Sequence, residues 1–370
     1  MRKELYYGTV LFVISVFLVF ALFWDKSNIA TMILSSAIKA NVNNSTNPAT
    51  TGRAFSLERR RLPSLKNGGI VIFIHIPKTG GTTIRELVKY RKDGRRSKVN
   101  YIYLTGPREF NYTMNRMNER LAPLPSAAAG GRGGGGVGTT IGQEVVFVEY
   151  HALDRTCPTF LQLATTILPD WKQRAQQQNI PLFMMSLVRE PISFAISFFN
   201  FYHGMHQNPR RFDYVDTSDN NNDNAVSERQ FLKHTIANPQ CLFLAHNEDA
   251  YTKTGQDLRE SFTWEECQRS FAGMVQLMDW IGTTDRIRNE TLPLLRTLFS
   301  TNNHTKKLIR NLNKTANPSS AAGLVPKFQQ EYLSKKAKEE IRSKTMWDLG
   351  IYTNVQRRFS YNDWMDTHTR

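Results

Sequence analysis

Hydrophobic positions along the chain fall into short, separate blocks. Val71–Ile76 is a β-branched and aromatic run that follows the turn signal Gly68-Gly69 and stops at Pro77, which predicts a buried strand. The next block, Ile84–Tyr90, predicts a helix directly after it. The same reading gives strands at Tyr101–Leu104, Glu144–Tyr150, Pro181–Val188 and Val275–Gly282. It gives helices at Pro158–Leu168, Ile192–Tyr202, Ser227–Ile236, Trp264–Phe271, Arg286–Phe299, Gln329–Ser343 and Trp347–Phe359. Short apolar strands alternating with helices predict an α/β fold, a P-loop-like parallel sheet flanked by helices on both faces. The Ala/Gly tract Leu121–Gly138 has no means of burying a core, and Asn208–Asn224 reads as an Asn/Asp-rich surface insertion. No internal repeat is visible.

Ahead of these blocks, Tyr6–Trp24 is a nearly unbroken apolar stretch behind Arg2 and Lys3. A bilayer core of about 30 Å needs roughly 20 helical residues. A transmembrane signal-anchor is therefore expected at residues 6–24, with residues 1–5 as a cytoplasmic tail and the rest lumenal. A cleaved signal peptide is the competing reading, but its apolar region is usually about 7–15 residues long and no small-x-small site follows Trp24. Residues 25–66 have the polar, Asn/Ser/Thr-rich composition of a stem, which leaves 67–370 as the folded domain. N-x-Ser/Thr tripeptides at Asn43, Asn44, Asn111, Asn289, Asn303 and Asn313 fit a lumenal placement.

Charge narrows the partners. A formal net charge of +16 over 370 residues favours acidic ligands: a nucleotide cofactor, a polyanionic glycan or nucleic acid. The membrane topology argues against nucleic acid. No C-x-x-C pair or His/Cys spacing suggests zinc. Cys157, Cys241 and Cys267 permit at most one intrachain disulfide. An oxidising lumen favours Cys241–Cys267, which closes the segment between two predicted helices, and three buried free thiols are the equal alternative.

The candidate chemistry starts at the loop Pro77-Lys78-Thr79-Gly80-Gly81-Thr82-Thr83, between the first strand and its helix. Gly80 and Gly81 allow close backbone approach, and Thr82 or Thr83 can cap the helix. Loop N–H groups and the positive helix end together make an anion cradle, and the lysine points to phosphate. The order is not that of a G-x-x-x-x-G-K-[ST] loop, because the lysine precedes the glycines. Asp279 lies inside its apolar run and is followed by Trp280, so no Mg²⁺-binding carboxylate stands out at a strand end. Both facts disfavour a P-loop kinase or ATPase.

The run His75–Thr83 resembles the 5′-phosphosulfate loop of the Golgi sulfotransferases that use 3′-phosphoadenosine 5′-phosphosulfate (PAPS). It is most similar to the heparan sulfate 2-O- and 6-O-sulfotransferase group. Residues 186–199, Ser-Leu-Val-Arg-Glu-Pro-Ile-Ser-Phe-Ala-Ile-Ser-Phe-Phe, resemble the family's 3′-phosphate motif. Arg189 and Ser197 occupy its arginine and serine places, and Glu190 replaces the usual Asp. Trp280–Asp285 resembles the family's Val-Gly-x-Thr-Glu segment. The resemblance covers Ile70–Phe359 and is sharp only in these blocks.

It implies the sulfotransferase fold and O-sulfation of a glycan or polysaccharide hydroxyl, from a type II Golgi membrane protein with PAPS as co-substrate and no metal. Pro77, Lys78, Thr79, Gly80, Gly81, Thr82, Thr83, Arg189 and Ser197 would bind the cofactor. Sulfuryl transfer needs a cradle for the leaving phosphate, a cation that follows the developing charge and a base for the hydroxyl. Lys78 supplies the cation. His151, at the C-terminal end of strand Glu144–Tyr150, is the expected base, where related enzymes place a catalytic His after a Gly; here Tyr150 precedes it. Glu149, on the same strand face, is the fallback base. His203 and His206 are candidates to line an acceptor groove, while His75 reads as a core histidine. Clusters Arg91-Lys92…Arg95-Arg96…Lys98 and Arg210-Arg211 suit a polyanionic acceptor. A lumenal nucleotide-dependent kinase and a non-catalytic glycan-binding relative are the other function classes.

Overall fold

The apolar blocks become five strands, and helices fill the intervals. The computed structural model describes residues 63–65, 67–89, 99–122, 144–151, 155–203, 227–299 and 328–359. All of them lie in one unit, Gly52–Arg370. In chain order the elements are β1 (Gly69–Ile74), α1 (Gly81–Lys89), β2 (Val99–Leu104), α2 (Pro107–Arg120), β3 (Val145–Tyr150), α3 (Phe160–Thr165), α4 (Ile167–Gln177), β4 (Leu182–Val188) and α5 (Pro191–Tyr202). They continue with α6 (Glu228–His234), α7 (Pro239–His246), α8 (Gln256–Ser261), α9 (Trp264–Leu277), β5 (Trp280–Thr283), α10 (Leu292–Leu298), α11 (Lys335–Lys344) and α12 (Met346–Arg358).

The strands form one parallel sheet in the order β2-β3-β1-β4-β5. Every residue of β1 and β3 is buried, as expected for central strands covered on both faces. Phe147 sits in the middle of β3 and packs its ring against Phe73, Tyr101 and Phe299. The chain leaves β1 toward β2 on one side and leaves β4 toward β5 on the other. Neighbouring strands β1 and β4 thus send their connections in opposite directions, which opens a crevice at their C-terminal ends.

Departures from the predicted elements have local causes. Helix α2 is polar, with only Thr113 and Met117 buried, so the apolar pattern does not show it. Helix α7 is buried from Pro239 to Ala245 and therefore lacks the periodicity of an amphipathic helix. Helix α9 runs on to Leu277, through the start of the strand expected at Val275–Gly282, and β5 keeps only four residues. The single helix expected at Arg286–Phe299 is a 3₁₀ turn (Thr284–Arg286), a π turn (Ile287–Thr291) and then α10. Pro293 at the start of α10 has no N–H for the regular α ladder, which accounts for the irregular turn before it. The helix expected at Pro158–Leu168 is α3 followed by the longer α4, with Thr159 and Gln162 forming a capping box at the start of α3.

The expected signal-anchor at 6–24, residues 123–138 of the Ala/Gly tract, the insertion at Asn208–Asn224, both basic clusters, His206 and the tripeptides at Asn43, Asn44, Asn303 and Asn313 lie outside the described residues. The first residue of the tract, Leu121, is instead fully buried at the end of α2, where its N–H donates to Met117 O. Among the described residues no helix is long and apolar enough to cross a membrane. Leu65, assigned by composition to the stem, is buried, and its N–H donates to Leu298 O.

Cys241 of α7 and Cys267 of α9 are joined in a disulfide with Cα atoms 5.1 Å apart, and Cys157 is a buried thiol. The bridge spans 26 positions of sequence. A closed loop of that length restricts the unfolded chain enough to stabilise the fold by about 3 to 4 kcal/mol. Denaturant unfolding of a Cys241→Ser/Cys267→Ser variant should show that loss. An unchanged midpoint would contradict the assignment of stability to the bridge.

Candidate functional site

The loop between β1 and α1 turns on Lys78, whose φ of 65° is left-handed, and on Gly80, whose φ is 98°. A non-glycine residue held in that region stores backbone strain of order 1–3 kcal/mol, and such strain gathers at ligand clamps. The loop side chains divide by direction. Thr79 is fully buried and its Oγ1 donates to Ile76 O at 2.6 Å, so its hydroxyl shapes the turn. Pro77 is buried as well. Thr82 is exposed and Thr83 half-buried at the start of α1. Thr83 and Ile84 donate their N–H groups to Gly80 O at 3.0 and 3.3 Å. The N–H groups of Gly81 and Thr82, in the first turn of α1, have no partner inside the helix. Gly81 is required by contact: a Cβ there would stand 2.1 Å from the His75 ring.

Two segments distant in sequence meet at this loop. Arg189, just past β4, donates from Nη1 to Lys78 O at 2.9 Å. Thr284, just past β5, donates to Thr79 O at 3.0 Å and to Val188 O at 3.2 Å. Glu190 does not pair with Arg189; its carboxylate accepts from Ser193 N at 2.7 Å and caps α5. Gln240 holds the Arg189 backbone at two points, accepting from its N–H and donating to its C=O, both at 2.8 Å. Gln240 is placed in turn by Asp348 of α12, which accepts from the N–H groups of Gln240 and Cys241 at 2.9 Å. Complete burial pushes the Asp348 carboxyl up to about 7 against those two bonds. Burial also lowers the Arg189 guanidinium from its usual value.

Helix α5 supplies the other wall. Ser193, Ser197 and Phe201 recur at four-residue spacing and share one half-buried face. The Lys78 ammonium lies over the Phe201 ring, 3.8 Å from its centre. Ser197 is therefore one helical turn from the ring that carries Lys78.

Beside the loop, the period-two alternation of the strands puts Phe73 and His75, Glu149 and His151, and Tyr101 and Tyr103 on one face. The ladder continues one residue past β1 and β3: His75 N donates to Tyr150 O and His151 N to Leu104 O, each at 2.9 Å. Arg85 reaches down from α1 and donates to both Glu149 oxygens at 2.6 and 3.2 Å, while its guanidinium lies over the Tyr103 ring. Tyr101 also donates to Glu149. His75 Nδ1 completes the cluster, 2.8 Å from Glu149 Oε1. Burial alone would raise the Glu149 carboxyl; bonds from His75, Arg85 and Tyr101 outweigh it and hold the group at about 2. Burial and the neighbouring His151 lower His75 to about 4, more than Glu149 raises it. Glu149, the fallback base in the sequence, is thus a saturated, buried acceptor.

His75, Glu149 and His151 bring potential metal-ligand atoms within 4.8 Å of one another. Both Glu149 oxygens already accept from Arg85, and a guanidinium in that place opposes a metal cation. The cluster reads as a hydrogen-bonded support. It carries His151, whose ring centre is 4.4 Å from that of His75. His151 Nδ1 lies 2.7 Å from Tyr103 Oη, and Nε2 lies 3.3 Å from Glu248 Oε2. His203, a candidate groove residue, is instead buried against Phe199 and His234. Asp279 sits at the opposite sheet edge, bound to Lys172 Nζ and to Met184 N.

Comparison with protein-family models and with curated proteins finds no match. The site therefore rests on its geometry. The sequence pointed to Lys78, Arg189 and His151, and the fold brings all three to the C-terminal edge of the sheet. It did not point to Arg85, Tyr103, Gln240 or Glu248. Tyr103 was legible in principle, since Tyr101-x-Tyr103 and Glu149-x-His151 share the strand period.

His75 gives a pH signature. Its folded value near 4 lies below the ordinary 6.5, so the unfolded chain binds the proton first as pH falls. Its contribution is present above pH 6.5 and is lost as pH drops toward 4. Unfolding free energies of a His75→Gln variant should fall less steeply across that window than those of the unaltered chain. Equal slopes would contradict a buried neutral His75.

Proposed function

We propose that this protein transfers a sulfuryl group from PAPS to a glycan hydroxyl, with the cofactor in the crevice between β1 and β4. The observation that carries the reading is the meeting of three motif-like blocks: Arg189 and Thr284, from two of them, bond the carbonyls of Lys78 and Thr79 in the third, the loop itself. An adenine nucleotide with a 5′-phosphosulfate and a 3′-phosphate needs two anion sites a ribose apart. The α1 N-terminus with Lys78 suits the first, and Arg189 with the Ser197 face of α5 suits the second. The sulfotransferase fold, the signal-anchor and the Golgi placement belong to the same proposal.

In the reaction the acceptor oxygen bonds sulfur as the bond from sulfur to the 5′-phosphate oxygen breaks. The electron pair stays on that oxygen, where Lys78 and the N–H groups of Gly81 and Thr82 stabilise it. The hydroxyl proton ends on His151, set on its saturated support at the adjacent strand end. A kinase of the P-loop class would want a Mg²⁺-holding carboxylate at this edge, and Asp279 is tied up at the other.

Incubating the full chain with PAPS labelled in its sulfate and a panel of sulfated and unsulfated polysaccharides tests the reading. Label should pass to at least one acceptor, and Lys78→Ala should lower the rate by about 100-fold or more with the fold intact, the scale of losing one preorganised stabilising group. Full activity in Lys78→Ala, or no transfer to any acceptor, would overturn it.

A further inference from the structure

Glu248 stands on the far side of His151 from Tyr103. It is buried at 6% exposure and opens the 3₁₀ turn Glu248–Tyr251. The turn is entered through Asn247, whose φ is 62° and whose Nδ2 donates to Cys157 O at 3.0 Å. Tyr202 donates to Glu248 Oε1 at 2.7 Å. The other oxygen, Oε2, and His151 Nε2 are both buried, make no hydrogen bond, and stand 3.3 Å apart. Such a pair, buried and set face to face, calls for a role.

A carboxylate oxygen only accepts, so the Nε2–H tautomer of neutral His151 is the one that avoids setting a nitrogen lone pair against Glu248 Oε2. Nδ1 is then an acceptor, and Tyr103 donates its phenol proton across 2.7 Å. Both ring nitrogens then face protein groups, which leaves the half-buried Tyr103 hydroxyl as the candidate to meet a substrate hydroxyl. Tyr103 lies under the Arg85 guanidinium, 4.0 Å from its ring centre, with Glu149 behind. Burial raises its pKa although Arg85 opposes this, so the phenol keeps its proton until a base takes it.

We propose that Glu248, His151 and Tyr103 form one proton relay, in which Tyr103 is the group that touches the acceptor hydroxyl. This rests on the sulfuryl-transfer reading. As the acceptor oxygen bonds the sulfur of the phosphosulfate donor, its proton passes to Tyr103 Oη. The proton of Tyr103 passes to His151 Nδ1, and Glu248 Oε2 holds the resulting imidazolium at Nε2. The electron pair of the broken sulfur–oxygen bond leaves on the 5′-phosphate. Glu248 is a positioning residue: it selects the tautomer that makes Nδ1 the acceptor.

Nitrogen NMR of the full chain labelled in its histidines, with the His151 signal assigned by its loss in His151→Asn, reads the tautomer without any acceptor. The unaltered chain should carry the neutral proton on Nε2, and Glu248→Gln should move it toward Nδ1. Tyr103→Phe keeps the ring under Arg85; it should bind adenosine 3′,5′-bisphosphate normally and transfer about 100-fold more slowly, the scale of a lost acid–base group. A neutral Nδ1–H tautomer in the unaltered chain, or Tyr103→Phe transferring within about threefold of it, overturns the relay. Absence of transfer by the unaltered chain would count against the sulfuryl-transfer reading, while the tautomer still decides how His151 is wired.

Discussion

The bond from the Arg189 guanidinium to the Lys78 carbonyl bridges the crevice between β1 and β4, and the arrangement of the site follows from it. It fixes a left-handed lysine in a loop that glycine would otherwise be needed to turn. It also commits the arginine to a position beside the start of α5. Thr284 adds a second tie from β5, so three strand ends share one hydrogen-bonded rim. Behind Arg189, Gln240 and the buried Asp348 carry the constraint to α7 and α12, and the disulfide holds α7 to α9. The residues that order the rim therefore come from most of the folded chain.

A second constraint lies under the histidines. Glu149 is a charge with no exposure, which is sustained only because Arg85, Tyr101 and His75 all bond it. With its oxygens filled, it sets the ring of His75, and His75 in turn underlies Gly81 and neighbours His151. One buried network thus supports both the β1–α1 loop and the histidine expected to receive a proton. Keeping His75 neutral spares His151 a second positive ring beside it.

Much of this was legible in the sequence where the signal is local. Parallel strands declared themselves through unbroken apolar runs such as Val71–Ile76, and the loop through Lys78-Thr79-Gly80-Gly81. Cys241–Cys267 was one of two open readings, and the fold chose it. What the sequence hid are contacts made across it. Gln240 and Asp348 are buried polar residues separated by 108 positions. Nothing in their neighbours marks them as partners of Arg189. Glu149 looked like a base because it shares a face with His151; only Arg85, arriving from α1, shows that its lone pairs are used. Helix α7 lacked a periodic pattern because it is buried nearly all round.

The central claim is that the β1/β4 crevice takes an adenine nucleotide bearing a 3′-phosphate. Equilibrium binding of adenosine 3′,5′-bisphosphate to the full chain, followed by calorimetry with and without excess ATP, tests it most directly. The account predicts saturable binding at one site that ATP does not displace and that Arg189→Ala abolishes. Displacement by ATP, or binding unaffected by Arg189→Ala, would contradict it.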